Sequence, residues 1–236
     1  TSMTHGADNV AIGTSALDVD TKGNYSVAVG RNALGAQNFT TSTDTYNVAV
    51  GYAAGTAVTE GQQNTLIGGL AGDALTHADK NTAVGMQALT TDTLGHRSTA
   101  IGQNALKVQN FTTSTDSYNV AVGFEAGSAV TTGTENTLIG AEAGDALTDA
   151  DKNVAIGKSA LTADTLGSRT VAVGQGALAA QNFTTATDTY NTAVGHFAGL
   201  SVTTGGSNTI VGGLAGDALT TGSHNVVMGV QALTLD

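Results

Sequence analysis

The chain has 236 residues and a formal net charge of -11, with no Pro, Cys or Trp but 32 Gly. Charged residues make up only 11%, against about 25% in ordinary globular domains, while about one residue in six is Thr. The missing cysteines exclude disulfide and thiol chemistry, the acidity disfavours nucleic acid as a partner, and no apolar run approaches the roughly 20 residues that cross a membrane.

In chain order, residues 1–8 form a polar flank without a signal-peptide pattern. From Asn9 onward a pentapeptide Asn-(Val/Thr)-(Ala/Leu)-(Val/Ile)-Gly recurs, closing at Gly13, Gly30, Gly51, Gly68, Gly85, Gly102, Gly123, Gly140, Gly157, Gly174, Gly195, Gly212 and Gly229. The steps run 17, 21, 17, 17 and then repeat, so thirteen coils are nested in a 72-residue period. The chain is thus one repeat domain, 9–236, with super-repeats 9–80, 81–152 and 153–224 and a partial copy 225–236. A short repeat rich in β-branched residues and glycine predicts a strand per coil rather than a helical solenoid. The expected architecture is all-β, a parallel β-solenoid with strands stacked about 4.8 Å apart.

After each closing glycine come two variable residues and an invariant alanine, from Ala16 and Ala33 to Ala215 and Ala232. Leu then follows, as at Leu17, Leu34, Leu89 and Leu106, or Gly, in which case Val58, Leu75, Val130, Leu147, Val202 or Leu219 appears three residues later. Each coil therefore supplies a large apolar side chain to a thin core. A second glycine, as at Gly23, Gly61 or Gly95, marks a tight corner. The opening Asn is replaced by Ser26, Ser98 and Thr170 on the same coil of each super-repeat. Stacked Asn amides suit a ladder along the solenoid, and equally a corner before a strand.

The strand is apolar on both faces. With alternate residues pointing opposite ways, Val48 and Val50 are expected to fill the core and Ala49 to face outward. An outward apolar stripe is rarely left open in a soluble monomer. The expectation is a parallel homo-oligomer whose interface is formed by Ala49, Leu66, Ala83, Ala121, Leu138, Ala155, Ala193 and Ile210; the trimer is what the resemblance below implies.

The repeat Asn-Thr-Ala-Val-Gly-x-x-Ala-(Gly/Leu), with Thr203-Thr204-Gly205-Gly206-Ser207-Asn208 before the next strand, resembles repeats of bacteriophage tail fibres. It is also similar to the head domains of trimeric autotransporter adhesins. The resemblance covers nearly the whole chain from Asn9. It implies a left-handed parallel β-roll, trimeric assembly and an attachment role, on a virion tail fibre or a bacterial surface and therefore extracellular.

No enzyme motif emerges and no cofactor or metal is expected. Lys152 stands where a phosphate-binding loop ending at Gly157-Lys158-Ser159 needs its first glycine. His5, His77, His96, His196 and His224 show no ligand spacing. The acidic corners 73–80 and 145–152 suit either a cation between coils or a solvated turn.

One coil in four is lengthened, at 37–46, 109–118 and 181–190. Nine of the ten aromatics lie in or just after these loops: Phe39, Tyr46, Tyr52, Phe111, Tyr118, Phe124, Phe183, Tyr190 and Phe197. Loops on rigid scaffolds carry binding and aromatic rings suit sugars, which makes these nine the candidate contacts for a host-surface glycan or protein receptor. The competing expectation is that the rings pack under their own loops and brace them. The functional alternatives are an attachment fibre, a structural spacer in a fibre shaft, and an ice-binding solenoid. The last is disfavoured because the second strand position, where Thr alternates with Val, is expected to face inward.

Overall fold

A computed structural model describes residues 6–234; the part of the polar flank from Thr1 to His5 lies outside them, as do Leu235 and Asp236. The chain divides into two compact units, one ending at Tyr118 and the other starting at Asn119. Both are parallel β-solenoids, and the described residues contain no helix.

The first unit carries β1 (Val10–Ile12), β2 (Gly23–Asn24), β3 (Val27–Val29), β4 (Thr43–Asp44), β5 (Val48–Val50), β6 (Thr65–Ile67), β7 (Thr82–Val84), β8 (Gly95–His96), β9 (Thr99–Ile101) and β10 (Thr115–Asp116). The second carries β11 (Val120–Val122), β12 (Thr137–Ile139), β13 (Val154–Ile156), β14 (Gly167–Ser168), β15 (Val171–Val173), β16 (Thr187–Asp188), β17 (Thr192–Val194), β18 (Thr209–Val211) and β19 (Val226–Met228). The pentapeptide strands pair in sequence order and strictly in register: Ala28 with Ala49, Ala49 with Leu66, and Leu66 with Ala83 in the first unit. Ala121 pairs with Leu138 and Leu138 with Ala155 in the second. Short side ladders join β2 to β4, β8 to β10 and β14 to β16, where each lengthened loop returns to the solenoid.

The corners explain much of the residue choice. Each coil turns through residues of positive φ at the second and fourth places after the closing glycine and just before the opening Asn, for example Asn32, Leu34 and Tyr46 at φ 59, 48 and 51°. No Val, Ile or Thr occupies such a position among the described residues, in a chain where those residues abound. A β-branched side chain collides with its own backbone there, so the core filler at that corner is Leu or Gly. The closing glycine needs its missing side chain for a different reason. At φ 143°, a Cβ on Gly51 would sit 2.4 Å from the carbonyl oxygen of Gly68 in the next coil.

The core is one side chain deep. Ala49, Ala83 and Ala100 are fully buried, as are Leu34, Val58, Leu75, Leu89 and Leu106. Leu66 occupies the space that two glycines vacate, since a Cβ on Gly55 or Gly72 would lie 2.6 or 2.7 Å from its methyl groups. Volume is thus traded between the strand and the corner, coil by coil.

The faces of the strand are the reverse of the sequence expectation. The middle residue points into the coil: Ala49, Leu66, Ala83, Ala121, Leu138, Ala155, Ala193 and Ile210 are all at 0% exposure within their own chain. They build the core and are not available as an interface between chains. The flanking residues face out. Val50, Ile67 and Ile101 are 36–39% exposed in the first unit, and Ile139, Ile156 and Val194 are 36–38% exposed in the second. The physical reason is volume. A coil that already holds a corner Leu has room only for alanine on the inside of its strand, so the bulkier β-branched pair is turned outward.

The opening Asn fastens one coil to the next. Its Oδ1 accepts from the backbone N–H of the residue at the same place in the next coil, as from Asn81 to Asn64 at 3.0 Å. Its Nδ2 donates to the next corner, as from Asn64 to the Ala78 carbonyl at 2.8 Å. Amide-to-amide contacts occur, such as Asn64 to Asn47 at 3.4 Å, but the main partners are backbone. Both orphan groups of a buried corner are satisfied by one side chain, which is why the residue recurs.

Candidate functional site

The lengthened loops are held from below by a buried polar cluster that sequence reasoning missed. In the second super-repeat, Asp92 accepts at Oδ1 from the backbone N–H groups of Gly95 and Phe111, both at 3.0 Å, and at Oδ2 from Gln109 Nε2 at 2.6 Å. Gln109 Nε2 also donates to Ser98 Oγ at 2.8 Å, and Ser98 meets the Ser117 hydroxyl at 2.5 Å. Asp164, Gln181, Thr170 and Thr189 repeat the arrangement in the second unit, where Asn191 Nδ2 also donates to Gln181 Oε1 at 2.8 Å. Asp20, Gln37, Ser26 and Thr45 do so in the first super-repeat. Thus Ser26, Ser98 and Thr170 replace Asn because a glutamine from the same lengthened coil reaches into that place. Burial holds the Asp92 carboxyl above the usual carboxylate range, against the lowering effect of its hydrogen bonds to Gln109, Phe111 and Gly95.

The nine candidate aromatics separate into three groups. Phe39, Phe111 and Phe183 are only 5–9% exposed and lie beneath their loops. They brace the fold and are not contact residues: a bulky ring in an extended loop has more apolar surface to bury than the loop can leave open. Tyr46, Tyr118 and Tyr190 stand outward at 52–58% exposure, each at a positive-φ corner before the buried Asn. Tyr52 and Phe124 are exposed, and Phe197 is half-buried against the ring of His196, 4.0 Å between centroids. Tyr52 follows β5 whereas Tyr46 precedes it, so the two stand at opposite ends of a strand.

The tyrosine corner is preorganised. Tyr46 stacks on Tyr25, with centroids 5.3 Å apart and planes within 4°. Arg97 takes Tyr25's place one super-repeat later; its guanidinium lies 5.8 Å from the Tyr118 ring centroid. Arg97 Nε donates to Asp116 Oδ1 at 2.9 Å, and the Tyr118 hydroxyl donates to Asp116 Oδ2 at 3.3 Å. Arg169, Asp188 and Tyr190 reproduce this in the second unit, with 2.9 Å between Arg169 Nε and Asp188 Oδ2. Hydrogen bonding and charge from Arg97 outweigh desolvation, and the Asp116 carboxyl is held below the usual range.

The acidic corners are wired into their neighbours as hydrogen-bond acceptors. Asp79 accepts from Gln62 N and Asp151 from Thr134 N, each at 2.7 Å. Asp73 accepts from the Thr90 hydroxyl, and Asp145 from Thr162 at 2.5 Å. Comparison with family models, with curated proteins and with solved structures finds no match for this chain. Its function is therefore argued from its own geometry.

The outward turn of the strand also bears on ice binding. Thr65, Thr82 and Thr99 face out, in register on β6, β7 and β9, contrary to the inward placement expected from sequence. The same column holds Val10, Val27 and Val48 in the first three coils of that unit, so threonine does not line every coil.

Proposed function

We propose that this chain is a non-enzymatic attachment module of a fibre or adhesin, working outside the cell as a parallel homotrimer of left-handed solenoids. Each copy meets its partners through the outward Val and Ile stripe and presents Tyr46, Tyr118 and Tyr190 to a receptor or glycan on the host surface. The observation that carries this reading is the distribution of apolar side chains. The core is filled from inside the coil, yet a second apolar row, Val or Ile on every pentapeptide strand but β19, where it is Met228, continues on the outer face in each unit. Such a row is costly to leave in water, and an identical copy presents an equally flat, equally spaced face.

The tyrosines add the second element. They are large and exposed, Tyr46 is stacked on Tyr25 while Tyr118 and Tyr190 are hydrogen-bonded to Asp116 and Asp188, and a tyrosine recurs at this corner once per super-repeat. Within the first unit, Tyr46 and Tyr118 are four coils apart, about 19 Å by strand spacing, a distance suited to a repeating ligand. A pure spacer role is the second reading, supported by the burial of Phe39, Phe111 and Phe183 beneath the loops. The test replaces Tyr46, Tyr118 and Tyr190 together with Ala and measures binding to host cells or immobilised surface glycan. Attachment predicts lost binding with unchanged circular dichroism. Binding retained at full strength points to a spacer.

A further inference from the structure

Beside the first lengthened loop, on the first unit and away from Tyr46, runs an open groove of about 740 Å³. That lies within the roughly 300–1,000 Å³ of clefts that hold small ligands. Its lining joins the small or apolar residues Val19, Gly35 and Ala36 to polar ones that include Asp18, Asn38, Glu60 and His77. His77 Nε2 stands 3.8 Å from Glu60 Oε2.

The full set of lining residues occurs in the first super-repeat alone. Where it has Gly35 and Ala36, the second copy has Lys107 and Val108. Where it has Asp18 and Glu60, both later copies have threonine, at 90 and 162 and at 132 and 204. The fold accepts bulkier and uncharged residues at these places elsewhere in its own chain, so the small residues and the acidic pair are not demanded by the solenoid.

We propose that this groove binds a neutral oligosaccharide, with sugar C–H faces on Val19, Gly35 and Ala36 and hydroxyls donating to Asp18, Glu60 and the Asn38 amide. The lining argues against three other chemistries. An anionic ligand meets two carboxylates on a chain of net charge -11. An extended peptide finds no backbone to pair with, since Ala36 N already donates to Thr56 O at 3.1 Å and Asn38 N to Thr59 O at 3.0 Å. A metal ion is not served, because no group of three or more His, Asp or Glu among the described residues converges there. Hydroxyl groups are the donors that carboxylates and amides on a rim can take in pairs.

The inference rests on the attachment reading but uses different residues, so each can fail without the other. The experiment titrates the full chain, labelled for observation of histidine rings, with maltotriose, cellotriose and tri-N-acetylchitotriose in the millimolar range. The expected result is saturable movement of the His77 ring signals with at least one trisaccharide. Affinity should fall about tenfold or more in Gly35→Lys/Ala36→Val, which installs the second copy's pair, and in Asp18→Thr/Glu60→Thr. It should be unchanged in Glu135→Gln, an exposed residue outside the groove. Thermal unfolding of each variant confirms that the fold persists. No shift with any of the three sugars overturns the proposal, as does equal binding by wild type and Gly35→Lys/Ala36→Val, or tighter binding of a glucosamine or glucuronate trimer.

Discussion

Leu66→Ala probes the core at its least forgiving point. Leu66 is fully buried and its methyl groups fill the space left by Gly55 and Gly72. Transfer of the lost carbons costs about 2–2.5 kcal/mol, from ~0.8 kcal/mol per buried CH2. Neither glycine has a side chain that can move in, so a cavity remains and the total should reach about 3–4 kcal/mol. The same geometry predicts coupling with Gly55→Ala. Alone, that substitution drives a Cβ to 2.6 Å from Leu66 Cδ1 at a residue with φ 58°. With Leu66 shortened the collision is gone, and the added methyl occupies part of the void. The double variant should therefore be more stable than the sum of the single effects by about 1–2 kcal/mol. Urea unfolding followed by circular dichroism, at one fixed protomer concentration, measures all four corners of the cycle. A loss under about 1 kcal/mol for Leu66→Ala, or strict additivity, would refute the account of volume traded between strand and corner.

Asn64→Ala leaves the Asn81 N–H and the Ala78 carbonyl without partners inside the solenoid, and should cost about 2–4 kcal/mol in the same assay. Asp92 carries a pH signature: its folded-state pKa lies above the ordinary 3.8 because of burial, so its stabilising contribution is full below the unfolded value and is lost as pH rises through the folded one. The stability of wild type relative to Asp92→Asn should accordingly rise as pH is lowered through the carboxylate range, and a flat difference would contradict the assignment. Gly51→Ala forces a Cβ against the Gly68 carbonyl at a φ that L-residues avoid, and should abolish folding of the first unit as judged by hydrogen exchange of its strands.

The strands and their parallel pairing were legible because Asn, the β-branched pair and the closing glycine recur at fixed places. So were the fillers Leu17, Leu34, Val58 and Leu75, since each coil visibly carried one. The facing of the strand was not legible from alternation. Period two separates Val48 and Val50 from Ala49, but does not say which side closes into the coil. The deciding signal lay in the corners: Leu34, held at positive φ, already fills the core layer that Ala28 and Ala49 share. The absence of Val, Ile and Thr from those corners was available in the sequence as a marker of left-handed backbone. The buried Asp92 and Gln109 were harder to see, because the same place in the next coils holds Val130 and Leu147, and a polar residue there reads as solvent-facing. The aromatics divided for a reason composition does not carry: Phe111 lies under the loop, beside the backbone bond to Asp92, whereas Tyr118 follows the return strand at an outward corner.

The most direct test of the account is the mass of the intact chain in solution. Sedimentation equilibrium should give a species three times the chain mass of 23.3 kDa, and Ile67→Lys with Ile101→Lys, both on the outward stripe, should reduce it to a single chain that keeps its β-sheet spectrum. A wild-type chain that sediments as a stable monomer, with Val50, Ile67 and Ile101 open to water, would contradict it.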